Sequence, residues 1–231
     1  MAQLTCNGKS TREINREIRA YVAAGEGDVQ VQDPGARHNL GVALLDPVHL
    51  TLHGSVGYYC AGMIDGANVE VKGSAGWGLA ESMMSGKVIV HGNAGNGTAA
   101  SIRGGTVVVR GHAAARLGVA MKGGLILVGG DCGYMAGFMG QRGRIIVCGD
   151  TGDAFADSMY ETECFVGGEI AELGNDAVVE TPGESEFAFL SAAIQEHLGG
   201  HRDVRSFRKV VAGRKLWNFD KDERAVWREA L

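Results

Sequence analysis

The sequence predicts an all-β solenoid, a parallel β-helix of about seven 19-residue coils with helical N- and C-terminal segments, and three observations carry that prediction. A glycine recurs every 19 residues, at Gly54, Gly73, Gly92, Gly111, Gly130, Gly149 and Gly168, and self-similarity at a fixed period marks a repeat architecture. The neighbouring columns are equally regular. Three residues on stand Gly57, Gly76, Gly95, Ala114, Gly133, Gly152 and Ala171; seven on stand Ala61, Ala80, Ala99, Gly118, Gly137 and Ala156, with Asn175 departing. The fourth and second residues before each glycine are apolar and β-leaning, from Leu50/Leu52 through Val88/Val90 to Cys164/Val166. Two such residues spaced by two share one face of a short strand. A single strand per repeat has no partner within its own repeat, so each pairs with its equivalent in the next coil.

Coils stacked about 4.8 Å apart make a rod on the order of 30 Å long, filled by like columns. A further interior column reads Ile64, Met83, Ile102, Met121 and Met159, interrupted by Gly140. The small-residue columns are structural: the coil turns sharply there and neighbouring coils approach closely. A period of 19 fits neither hexapeptide helices nor nonapeptide calcium rolls.

The chain divides into a helix and cap over 1–47, the β-helix over 48–180, and C-terminal helices with a basic docking tail over 181–231. Ser10 and Glu13 form a capping box ahead of Ile14, Ile18 and Val22, which predicts an amphipathic helix over 11–24 covering the open end of the solenoid. Val29 and Val31 read as a short strand, and 38–45 as an irregular extended lead-in. After Thr181-Pro182-Gly183, a helix over 184–198 carries Phe187, Leu190, Ile194 and Leu198 on one face, and a shorter helix follows over 204–211. Leu216, Trp217 and Phe219 sit in a polar context and read as a clamp onto another surface.

With 231 residues, 45% of them hydrophobic, the chain has enough apolar material for one elongated domain. The N-terminus lacks an apolar signal core, and no run approaches the roughly 18 apolar residues of a membrane span, so a cytoplasmic location without membrane contact is expected. Five scattered cysteines, Cys6, Cys60, Cys132, Cys148 and Cys164, point to reduced thiols rather than disulfides, zinc or an iron–sulfur cluster. Residues 201–231 hold nine Lys/Arg against five acids, a net +4 that leaves −9 on the rest. Without a recognised nucleic-acid module, that tail suits the chain's own acidic body or a partner, and no nucleic acid is expected.

The third residue before each glycine faces outward and is apolar over five consecutive coils: Ile89, Val108, Leu127, Ile146 and Phe165. Such a stripe requires cover, from the chain's own terminal helix or from a partner subunit. With Leu216, Trp217 and Phe219 it forms the proposed interface. The residue before the glycine is basic in the first coils (His53, Lys72, His91, Arg110), and the residue after it is acidic in the last (Asp131, Asp150, Glu169). The acids suit the basic tail or plain solvation better than a metal. No nucleophile or carboxylate pair converges with His53, His91 and His112, so no catalytic, cofactor-binding or metal-ligating residue is assigned. Asp150, Asp153 and Asp157 echo the acidic clusters of polysaccharide lyases but lack the accompanying basic groove.

The coils, together with GYYCAGM at 57–63, AESMMSGKVIVHGNAG at 80–95, MKGG at 121–124 and RKLWNF at 214–219, resemble the C-terminal GXGXG β-helix domain of the glutamate synthase large subunit. The likeness is greatest to its free-standing version, a subunit of N-methylglutamate synthase (methylamine-glutamate N-methyltransferase). The resemblance implies a right-handed helix and a hetero-oligomeric enzyme. In it a class II glutamine amidotransferase-like subunit and an FMN and iron–sulfur subunit carry the chemistry, while this chain is a spacer that binds no cofactor. An ammonia-forming glutamate synthase, a formylmethanofuran dehydrogenase-type complex, a self-contained β-helical enzyme acting on a polymer, and an unrelated binding scaffold are the alternatives.

Overall fold

The computed structural model describes residues 1–200 and 202–215. Eleven strands form one sheet. Seven of them, β3 (His49–His53), β4 (Asn68–Val71), β5 (Lys87–Val90), β6 (Thr106–Val109), β7 (Leu125–Val128), β8 (Arg142–Val147) and β9 (Glu161–Val166), stack in parallel, one per coil. The register joins Leu50, Val69, Val88, Val107, Ile126, Ile145 and Cys164 into one inner column, each no more than 1% exposed. We number the coils 1 to 7 from Gly54 to Gly168.

The stacking persists where the strands stop. Five, seven and nine residues past the glycine, φ is positive in six successive coils, as at Gly78, Ala80 and Ser82. Alternating left-handed residues flip successive peptide planes, so their N–H groups point alternately along the rod. Ala80 N–H donates back to the Cys60 carbonyl (2.9 Å), whereas those of Gly78 and Ser82 donate forward to the carbonyls of Asn96 and Ala100 (2.9 and 2.8 Å). Each non-glycine residue there costs about 1–2 kcal/mol, which the coil-to-coil hydrogen bonds offset. The middle position faces the core, with Ala61, Ala80, Ala99 and Ala156 at 0% exposure, which is why only Ala and Gly occur there.

Both ends are sealed by irregular elements. At the start, β1 (Ala2–Thr5) and β2 (Asp28–Gln32) add two parallel rungs, joined by α1 (Thr11–Ala23). The Ser10/Glu13 capping box begins α1, and Ile14 and Ile18 are buried. Asn15 bonds the Asn39 carbonyl (2.7 Å) and the Gly41 N–H (2.9 Å), which fixes the helix over the open end. The stretch expected as an extended lead-in instead turns like a coil arm, with positive φ at Asn39, Gly41 and Ala43. It escapes the period because Val29 pairs with Leu50, 21 residues on, whereas Leu50 pairs with Val69, 19 on.

At the far end the expectation for 204–211 is corrected. A single 3-10 turn (Val204–Ser206) leads into β11 (Arg208–Ala212), which lies antiparallel between β9 and β10 (Ala177–Glu180). The apolar spacing of Val204, Phe207 and Val211 mimics a helical stripe, but the exposed edge of β9 needs a partner and decides the outcome. Val210, opposite Cys164 and fully buried, closes the inner column. Between β10 and the turn runs α2 (Glu184–His197).

Candidate docking surfaces

The outer stripe lies against α2. Val108, Leu127, Ile146 and Phe165 are 0% exposed beneath Phe187, Leu190, Ala193 and Ile194, with Phe207 closing the end and Ile89 partly buried at the margin. At roughly 1.5–3 kcal/mol for each large side chain removed from water, this contact is a second core. Ion pairs pin both ends of the helix. Lys209 lies 2.8 Å from Glu163 and 2.6 Å from Glu186, and Lys87 lies 3.2 Å from Glu196. Burial opposes the Lys209 charge, but hydrogen bonds to the two glutamates outweigh it and raise the pKa. Arg144 covers the Phe189 ring at 4.4 Å. Four of the five stripe residues of the proposed interface are therefore sealed by this chain's own helix, and Ile89 stays partly exposed at its margin; the rest of it, Leu216, Trp217 and Phe219, lies outside the described residues.

The polar columns bind coil to coil. The residue after each glycine presents a side-chain acceptor to the equivalent backbone N–H of the next coil. The series runs Ser55 to Ser74 (3.0 Å), Ser74 to Asn93 (3.1 Å), Asn93 to His112 (2.9 Å), His112 Nδ1 to Asp131 (3.0 Å), Asp131 to Asp150 (2.9 Å) and Asp150 to Glu169 (2.7 Å). This explains the invariant glycine: a Cβ at Gly73 would stand 2.6 Å from Ser55 Oγ, and one at Gly130 would stand 2.7 Å from His112 Nδ1. Beyond the charge of Asp131, Asp150 and Glu169, the signal in the sequence is that every residue of this column from Ser55 onward carries a side-chain acceptor.

His53 and His91 occupy separate networks. His53 Nε2 lies 2.6 Å from Gln30 Oε1, and His91 Nε2 lies 2.6 Å from Glu70 Oε1, where Lys72 also binds at 2.5 Å. Burial pushes the Glu70 carboxyl up, but its bonds to Lys72 and His91 outweigh that and hold it below the usual range. The three aspartates do not share a site. Asp150 serves the ladder and Asp153 is exposed, whereas buried Asp157 accepts from the backbone and side chain of Asn175 (3.0 and 2.8 Å). All five thiols are free and buried, and burial raises the pKa of Cys60 and Cys132 to about 12. Such thiols are poor nucleophiles and metal ligands. Among the described residues no group of three His, Cys, Asp or Glu is placed to hold a metal.

An apolar surface on coils 1 and 2 stays open, and Tyr134 and Met139 of coil 5 are exposed as well. Tyr58, Tyr59, Met63 and Trp77 are 40%, 48%, 55% and 52% exposed on the turn arms of coils 1 and 2. His38, Tyr58 and Trp77 stack in file, with ring centroids 4.5 and 5.2 Å apart. Tyr59 and Glu81 form the wall between two hollows. One, of about 330 Å³, is lined by Val42, Met63 and Ser82; the other, of about 510 Å³, by Trp77, Ala100, Arg116 and Val119. Gly78 admits the Tyr59 ring, since a Cβ there would lie 2.5 Å from Cδ1.

The polar columns of this parallel β-helix hold its coils together, and an aromatic surface lies open beside them. The chain belongs to the GXGXG motif family, which matches residues 31–220. Protein GlxC of Rhizobium meliloti (strain 1021) is 42% identical over 57 residues, 24% of this chain and 25% of that protein. The chain thus aligns with a quarter of that relative's length. A chain of the formyltransferase/hydrolase complex FhcABCD of Methylorubrum extorquens, solved with methylofuran, superposes with a TM-score of 0.61 at 25% identity, over 76% of this chain and 68% of that one. No described helix is long and apolar enough to cross a membrane.

Proposed function

We propose that this chain is the non-catalytic scaffold subunit of a glutamate-synthase-like complex that converts methylamine and L-glutamate to N-methyl-L-glutamate and ammonia. It docks a class II glutamine amidotransferase-like subunit and a subunit carrying FMN and an iron–sulfur cluster. The observation that carries the reading is the use already made of the polar side chains. The acceptor column is spent on coil-to-coil hydrogen bonds, and the thiols are buried in separate coils, while Tyr58, Tyr59 and Trp77 of the turn arms are exposed. Membership of the GXGXG family supports a subunit of a multi-subunit complex, and the resemblance of the coil motifs and the 214–219 ending is what favours this particular one. The five cysteines do not suit a cluster in this chain, so the proposal puts it on the partner.

The solved FhcABCD chain favours a second reading, in which the same scaffold serves a formyl-transferring complex. The two differ in product. Co-expression with the amidotransferase-like and flavin subunits of the host, followed by mass spectrometry of a reaction fed methylamine and glutamate, is expected to give N-methylglutamate only when all three polypeptides are present. An assembled, flavin-loaded complex that makes none would overturn the reading.

A further inference from the structure

The coil itself has no use for Tyr59, Met63 and Trp77. At the position of Tyr59 the next two coils carry Gly78 and Gly97; at that of Met63 they carry Ser82 and Ser101; at that of Trp77 coils 3 and 4 carry Asn96 and Ala115. A column that packs stays apolar through consecutive coils, as the outer stripe does from Ile89 to Phe165, whereas these columns turn to Gly, Ser, Asn, Ala or Arg in coils 3 and 4 before large apolar residues return at Tyr134, Met135 and Met139 in coil 5. Between the hollows, Glu81 is half-buried and has no ion pair among the described residues. Arg116 lines the second hollow but forms no ion pair with Glu81, so the carboxylate remains available to an incoming cation.

Building on the scaffold reading, we infer that this surface receives a segment of a partner subunit that places one large apolar side chain in each hollow and a Lys or Arg against Glu81. A second copy of this chain is a poorer occupant, because a two-fold contact centred here sets Glu81 against Glu81. The segment with Leu216, Trp217 and Phe219 is poorer too. Lys215 is held to Asp176 at the coil 7 end (2.9 Å), and residues 216–219 reach at most about 14 Å from there, against about 24 Å for the five coil spacings back to coil 2; residues 220–231, which include Trp227, are long enough to span it and are tested by the deletion below.

The neighbouring coils supply variants compatible with the fold: Tyr59→Gly, Met63→Ser, Trp77→Asn, and Glu81→Ala after Ala100. The complex is purified from the native host through a tag on this chain, and hydroxyl-radical footprinting is read at Tyr59, Met63 and Trp77, beside the isolated chain and the isolated chain lacking 216–231. Protection of about fivefold in the complex alone is expected, with the dissociation constant rising about 10-fold for Tyr59→Gly or Glu81→Ala and more for Glu81→Lys. Full modification in an intact complex overturns the docking surface and leaves the scaffold reading standing. Protection in the isolated chain that vanishes on deleting 216–231 assigns the surface to the tail, and protection that grows with concentration assigns it to a second copy; either overturns the inference. A chain recovered without partners overturns both readings. Protection by partners of another kind upholds the surface and overturns the glutamate-synthase assignment.

Discussion

Two of the surfaces that set large apolar side chains outside the coils have met opposite fates. The stripe from Ile89 to Phe165 runs through five coils, and α2, from the same chain, lies on it until four of its members have no exposure. The cluster of Tyr58, Tyr59, Met63 and Trp77 occupies two coils and stays half open. Periodicity separates them. An apolar column repeated at every coil is a packing surface matched to something equally long, and a helix of 14 residues is that long. Large residues that break their own column answer to something outside the repeat.

The sharpest way to break the sealed surface is Leu127→Asp. A carboxylate under α2 has neither water nor a cation, so a loss of about 3–5 kcal/mol is expected in urea unfolding. An effect below 1 kcal/mol would mean that α2 does not seal the stripe. A gentler probe is pH. Burial lowers the His197 pKa below its ordinary 6.5, with Lys87 adding to the shift and Glu196 opposing it. The unfolded chain therefore binds the extra proton first as pH falls through about 6.5, and stability drops below that point. His197→Gln should flatten the slope between pH 7 and 5. Smaller still, Asp131→Ala removes the acceptor from the Asp150 N–H and should cost about 1 kcal/mol, with Asp131→Asn restoring most of it. Equal losses for the two would remove the ladder's claim to hold the coils. On the open surface, Trp77→Asn should change stability by no more than about 0.5 kcal/mol.

Where a physical constraint repeats, the sequence carries it openly. The inner columns and their strands, the Ser10/Glu13 cap of α1 and the apolar face of α2 were all legible, because period and capping chemistry are local. The rung at β2 was half-hidden, Val29 and Val31 reading as a strand while two extra residues before β3 broke the period. β1 and β11 left no local sign, since their reason is the unpaired edge of another strand. The column from Ser55 to Glu169 is legible from the period, but that its side chains accept from the backbone of the next coil shows only in the three-dimensional register. The hollows beside Tyr59 join turn arms from several coils, and only the irregularity of their columns hinted at them.

The central claim is that this chain assembles the complex and leaves the chemistry to its partners. It is tested most directly by titrating the Tyr59→Gly/Trp77→Asn double variant into fixed amidotransferase-like and flavin subunits while following N-methylglutamate formation. The account predicts the wild-type plateau, reached only at concentrations about 10- to 100-fold higher, because assembly alone is weakened. A lower plateau at an unchanged midpoint would contradict it, placing these side chains in the reaction itself.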